Sequence, residues 1–202
     1  MDHIFSIAFT LFLIANPIGN SPAIIALIKD FDFEKQKKIM IREAVFAFLL
    51  AIFFQYSGEV FLKQLKIENY ALSICGGTLL LLVALDMLFH NRAAVTASED
   101  KHEPMFVPIA TPLISGPGLL SMIMIFSSEI DNNLTVSLAL VLAFIAISAV
   151  LIAAPYMNRI LGKNGLAALE QLMGLLLAIM STQMIVSGAK MFFNTFRCTC
   201  LF

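Results

Sequence analysis

Two proline pairs in this chain are flanked by glycines and short polar side chains, a combination suited to holding an anion on exposed backbone amides. The first copy reads Ala15-Asn16-Pro17-Ile18-Gly19-Asn20-Ser21-Pro22. The second reads Ala110-Thr111-Pro112-Leu113-Ile114-Ser115-Gly116-Pro117, followed by Gly118, and stands 95 residues further on. Proline lacks a backbone donor and its ring collides with the preceding helical turn, so a buried helix carrying two of them breaks. Ser21-Pro22 and Gly116-Pro117 read as helix restarts, with proline where its missing donor costs nothing. A restart inside a bundle exposes unpaired N–H groups and about half a positive charge, a ready seat for a carboxylate. Gly19, Gly116 and Gly118 let a ligand approach the backbone closely. Asn16, Asn20, Ser21, Thr111 and Ser115 add hydrogen-bonding groups without net charge, and the whole set suits a small zwitterion. Pro17, Pro22, Pro112 and Pro117 are then the structural breaks. Kinks that serve packing alone are the competing reading, because Pro and Gly are common in transmembrane helices. The doubled spacing weighs against it.

The elements that must position these residues are membrane helices. Of 202 residues, 59% are hydrophobic and 13% charged, with no Trp, and the mean hydropathy is +0.89. That apolar share exceeds the roughly 45–50% of a soluble domain. Spans are expected near 3–28, 40–62, 69–89, 105–128, 134–154 and 166–192, each long enough for a bilayer core of about 30 Å. The N-terminus reads as a retained first helix, not a secretory signal. Lys29, Lys35, Lys37, Lys38, Arg42, Arg92, Lys101, Arg159 and Lys163 fall in odd-numbered loops, against Lys63, Lys66, Lys190 and Arg197 on the other side. The positive-inside rule then puts those loops in the cytoplasm and both termini outside. Two re-entrant segments in place of spans one and four would give the same charge count, so charge leaves both topologies open. Length favours six spans.

A repeat extends beyond the prolines. Gly77-Thr78-Leu79-Leu80-Leu81 through Asp86-Met87 aligns with Gly174-Leu175-Leu176-Leu177 through Gln183-Met184 at an offset of 97 residues. The organisation expected is a first three-helix repeat (1–90), a polar cytoplasmic linker (91–104), a second three-helix repeat (105–193) and a tail (194–202). Three spans per half force the halves into opposite orientations, an arrangement typical of secondary carriers. Asp86 is the one acid well inside a span, which makes it a candidate for function; an interfacial position is the equal alternative. Glu43, Glu59, Glu129 and Glu170 are expected to be wet at span ends. Gly76, Gly77 and Gly174 read as sites of close helix packing, and Cys75 as a small packing residue. Cys198 and Cys200 form a C-x-C without further ligands. No catalytic pair, metal set, phosphate loop or nucleic-acid patch stands out, so neither an enzyme nor a cofactor is expected.

The proline motifs, with Gly76-Gly77-Thr78-Leu79-Leu80 and Ala84-Leu85-Asp86-Met87-Leu88, resemble the MarC family of small membrane proteins along nearly the whole chain. The family is grouped with LysE-type exporters, and a relative is described as carrying small neutral amino acids. The resemblance therefore implies a carrier of glycine- or alanine-like substrates, seated on Asn16, Gly19, Asn20, Ser21, Thr111, Ser115, Gly116, Gly118 and Asp86. The full expectation is an all-α polytopic bundle in the cell (inner) membrane, six helices as two inverted repeats, with helices one and four broken. A non-transporting membrane protein that binds a partner or lipid is the alternative.

Overall fold

The computed structural model describes residues 2–28, 31–89, 115–130 and 132–199. Its elements are α1 (Asp2–Ala15), α2 (Ser21–Ile28), α3 (Phe33–Leu65), α4 (Asn69–Phe89), α5 (Pro117–Glu129) and α6 (Asn133–Thr199). α6 is two helices joined at a kink, where Gly162 has φ 64° and ψ −179°. Only glycine adopts that region readily. The portions before and after it are α6a and α6b. Four stretches are long and apolar enough to cross a bilayer: Phe33–Gly58, Asn69–Phe89, Asn133–Ala154 and Gly165–Thr195. No strand occurs among the described residues.

α1, α3, α4 and α6 bury one side and expose large apolar residues on the other, whereas α5 is buried over most of its surface. On α6a the buried stripe is Val136, Ala139, Leu140, Ala143, Phe144, Ile147 and Leu151, the spacing of a single helical face. The opposite face shows Leu138, Val141 and Ile145. In water that pattern would be a liability, whereas lipid is as apolar as the side chains themselves.

Cross-helix contacts fix the relative directions of α3, α4, α5, α6a and α6b. α3 and α6a run antiparallel: Phe33 meets Tyr156, Phe48 meets Phe144, and Gln55 donates to Asn133 O. α3 and α5 run parallel, since Ser115 donates to Ala47 O and Ser127 to Gln55 O. Against α4, α5 is antiparallel: Asn69 donates to Ser128, and further along Gly118 faces Leu80. α6b is also antiparallel to α4, from Tyr70 against Phe192 to Ala84 and Met87 against Gly174. Chain direction thus alternates along α3, α4, α5, α6a and α6b.

The glycines allow the α4–α6b approach. A Cβ on Gly77 would lie 3.0 Å from both Ser181 O and Met184 Cβ. A Cβ on Gly174 would lie 3.3 Å from Ala84 O and 3.0 Å from Met87 Cβ. Ala84 and Met87 are the residues 97 positions before Ser181 and Met184. The seam is therefore self-complementary in the way a two-fold interface is.

Several expectations need correction. Lys35, Lys37, Lys38 and Arg42 lie on α3, not in a connector, because that helix begins at Phe33. Asp32, in extended conformation, ends the preceding loop, and the Lys- and Glu-rich run that follows has good helix propensity. The expected fifth loop is replaced by helix on either side of Gly162. Cys75 is exposed on the surface of α4, since the packing face there is taken by Ser73, Gly76, Gly77 and Leu80. Glu43 and Glu170 are buried, not wet; both sit in register with an inward stripe. The linker at 91–104, the start of the expected fourth span, and Thr111 and Pro112 lie outside the described residues.

A polar cluster ties α3 to α6a. Gln55 Nε2 donates to Asn133 O at 3.0 Å and Ser137 Oγ at 2.8 Å, while Gln55 Oε1 is buried without a partner. Gln55→Leu loses those bonds but also removes the unsatisfied oxygen, so it is expected to cost no more than about 1 kcal/mol. Thermal unfolding in detergent checks this; a much larger loss would show that the amide sets the register of the two helices.

Candidate functional site

The first proline motif forms a turn between two helices. α1 ends at Ala15, and Asn16 takes a left-handed conformation with φ 47°. Asparagine tolerates this because its short side chain bonds locally. Here Asn16 Oδ1 accepts from Gly19 N at 3.2 Å, and its Nδ2 points at Met87 Sδ on α4. Asn20 Nδ2 donates to Ala15 O, closing the turn onto the end of α1. Within the turn Asn20 N donates to Asn16 O and Ser21 N to Ile18 O, and helical bonding continues with Ile24 N donating to Asn20 O. Asn20 is thus the capping residue, one position before the expected Ser21. The Ser21 hydroxyl points backward, donating to Pro17 O at 2.8 Å, and is fully buried.

In the second motif Gly116 is the N-cap of α5 in extended conformation, with Pro117 at the first helical position. Leu120 N donates to Gly116 O. Ser115 is buried and spends its hydroxyl on Ala47 O, at 3.1 Å.

The turn before α2 and the start of α5 line one cavity of about 390 Å³. Asn16 and Asn20 line it from one motif, Gly116, Pro117 and Gly118 from the other, and Asp86 from α4. Leu79, Leu80, Leu82, Val83 and Leu177 complete an apolar wall. Asn16, Asn20, Gly116, Gly118 and Asp86 are therefore brought together, whereas Gly19, Ser21 and Ser115 stand behind the wall as supports. A Cβ on Gly19 would come within 2.5 Å of Asn16 Nδ2 and Met87 Cε, so its smallness serves the turn and not a ligand. Pro17 is buried in the turn, and Pro22 lies in the first turn of α2. Asp86 is exposed at the cavity's rim. No group of three metal-ligating side chains occurs among the described residues.

Of the two buried acids that read as wet from sequence, Glu43 and Glu170, the first lies beside the second motif's support. Glu43 accepts from Arg42 Nη2 at 3.1 Å through Oε1, while its Oε2 has no hydrogen-bond partner. It sits one turn from Ala47, whose carbonyl holds Ser115. The available signal was the stripe of Met40, Ala44, Ala47 and Ala51, with which Glu43 is in register.

The family model of MarC family integral membrane proteins matches residues 1–193. The chain belongs to that family. The UPF0056 inner membrane protein YhgN of Escherichia coli is 36% identical over 196 residues, covering 95% of this chain and 98% of the relative. A UPF0056 membrane protein of Buchnera aphidicola is 34% identical over 197 residues, covering 96% and 99%. One from Chlamydia trachomatis is 34% identical over 196 residues, covering 96% of each. No solved structure matches. As a MarC family member the chain is an integral membrane protein, in keeping with the apolar outer faces of its helices.

Proposed function

We propose that this MarC family protein is a secondary carrier of small neutral amino acids of the glycine and alanine type, and not an enzyme. Like the relative named as an inner membrane protein, it would act in the cell (inner) membrane. The observation that carries the reading is the shared cavity, lined by Asn16 and Asn20 of the first motif, the start of α5 and Asp86. The start of α5 presents backbone N–H groups and a partial positive charge suited to a substrate carboxylate. At the first motif the amides of Asn20, Ser21 and Ile24 are bonded to the protein's own carbonyls, and the turn offers the cavity its Asn16 and Asn20 side chains. Asp86 supplies the opposite charge for the ammonium group. The leucine and valine wall gives a side chain no ionic partner, which favours neutral substrates.

Six crossings as two inverted repeats, with helices one and four broken at their proline motifs, fit the alternating helix directions and the self-complementary α4–α6b seam. Both termini would lie outside, with the nine basic residues at 29–42, 92–101 and 159–163 on the cytoplasmic side. Counterflow of labelled alanine in proteoliposomes, beside a thermal-shift panel of amino acids, tests the proposal. Asp86→Asn is expected to reduce uptake by about tenfold or more, the loss of one charge-assisted bond of about 1.5–3 kcal/mol. Absence of both uptake and any thermal shift in the unaltered protein would end the carrier reading. Unchanged uptake by Asp86→Asn would remove that residue alone.

A further inference from the structure

A second cavity, of about 410 Å³, lies beyond a layer where α4 packs closely on α5 and α6b. The layer is thin and close. A Cβ on Gly76 would lie 2.6 Å from Ser121 Cβ, and one on Gly118 would overlap Leu80. Each helix reaches the two cavities with opposite parts of its length. α4 gives Val83 and Asp86 to the first and Ser73 to the second. α5 gives Gly116 and Gly118 to the first, then Met122 and Glu129 to the second. α6b gives Leu177 to the first, then Gln183 and Ser187 to the second. From the N-terminal segment, Thr10 faces the second cavity and Asn16 the first.

The 97-residue relation that exchanges Gly77 with Gly174 also exchanges the cavities. Leu82, Val83 and Asp86 line the first; their counterparts Ile179, Met180 and Gln183 line the second. Thr10, Ser73, Gln183 and Ser187 give the second cavity a hydroxyl and amide lining, with Glu129 among them. Polar groups at membrane depth are costly against lipid and face water or protein. We propose that the second cavity is the opposite vestibule of one route: a hydrated zwitterionic amino acid occupies it on the far side of the Gly76–Ser121 and Leu80–Gly118 layer. This inference rests on the carrier reading. Each vestibule carries one carboxylate for the substrate ammonium group, Asp86 in the first and Glu129 in the second.

The test uses the full chain with Cys75, Cys198 and Cys200 changed to serine, reconstituted in oriented vesicles. Val83→Cys and Ser187→Cys are exposed in turn to a charged, membrane-impermeant thiol reagent on either face. The expected result is labelling of Val83→Cys from one face only and of Ser187→Cys from the other only. Labelling of both from the same face, or none at Ser187→Cys, overturns the proposal. Thr10→Cys, on a different helix, replaces Ser187→Cys if that variant does not give a monodisperse gel-filtration peak. A Ser187→Trp plug is expected to abolish alanine counterflow while keeping the thermal shift by alanine; wild-type counterflow with the plug in place also overturns it. Failure of the unaltered protein to carry any amino acid sinks the carrier reading, while the labelling pattern separately decides whether the cavities open to opposite faces.

Discussion

Leucine in place of Asn16 is expected to destabilise the protein by about 2–3 kcal/mol and to abolish alanine binding. The left-handed backbone there costs an ordinary residue about 1–2 kcal/mol. Loss of the bond from Gly19 N adds about 1 kcal/mol, because that turn amide is buried. Leucine would also place an apolar branch where the amide now faces Met87 and the cavity. Asn16→Gly separates these contributions, since glycine accepts the positive φ freely and forfeits only the side chain. It should retain most of the stability but bind alanine weakly. Thermal unfolding in detergent with and without alanine reads both quantities. Equal melting of the two variants would show that the turn does not depend on asparagine's backbone tolerance.

Gly77→Leu is expected to have the largest effect on assembly, about 3 kcal/mol or more, because the neighbour that must yield is backbone. A Cβ there would lie 2.8 Å from Ile185 Cγ1 and 3.0 Å from the Ser181 carbonyl oxygen. Rotamer changes can relieve the first contact; the second requires α6b to move bodily. Gly174→Leu should cost less, its backbone contact with Ala84 O being longer at 3.3 Å. Gly162→Ala provides a contrast. Nothing lies within 4 Å of its Cβ position, so its cost is conformational alone, about 1–3 kcal/mol. The expected order of loss, read as the fraction of monodisperse protein on gel filtration in detergent, is Gly77→Leu, then Gly174→Leu. A Gly77→Leu protein as stable as the parent would mean that α4 and α6b are not held by this seam.

Hydropathy and helix punctuation made much of the fold legible. The third span, expected at 69–89, is α4 at Asn69–Phe89, because apolar length and flanking polar residues bound it on both sides. The fifth, expected at 134–154, begins one residue earlier, at Asn133. Facing was harder to read, since membrane helices are apolar all round and periodicity loses its contrast. That is why Cys75 reads as a packing residue and Glu43 as wet at a span end, whereas Cys75 is exposed and Glu43 is buried. In the candidate site, residue types flagged the two motifs but not the division of labour within them. Asn16 and Asn20 reach the cavity, while Ser21 and Ser115 turn their hydroxyls to carbonyls of the protein. Hydroxyl groups in apolar surroundings satisfy themselves on nearby carbonyls, a choice that spacing alone does not reveal.

The matched glycines of α4 and α6b bind the fates of the two halves of the chain. A bulkier residue at position 77 requires retreat at 181, 184 and 185, and one at 174 requires retreat at 84, 87 and 88. Neither half can drift in shape by itself: a change in bulk on one side of the seam must be answered across it, in the other half.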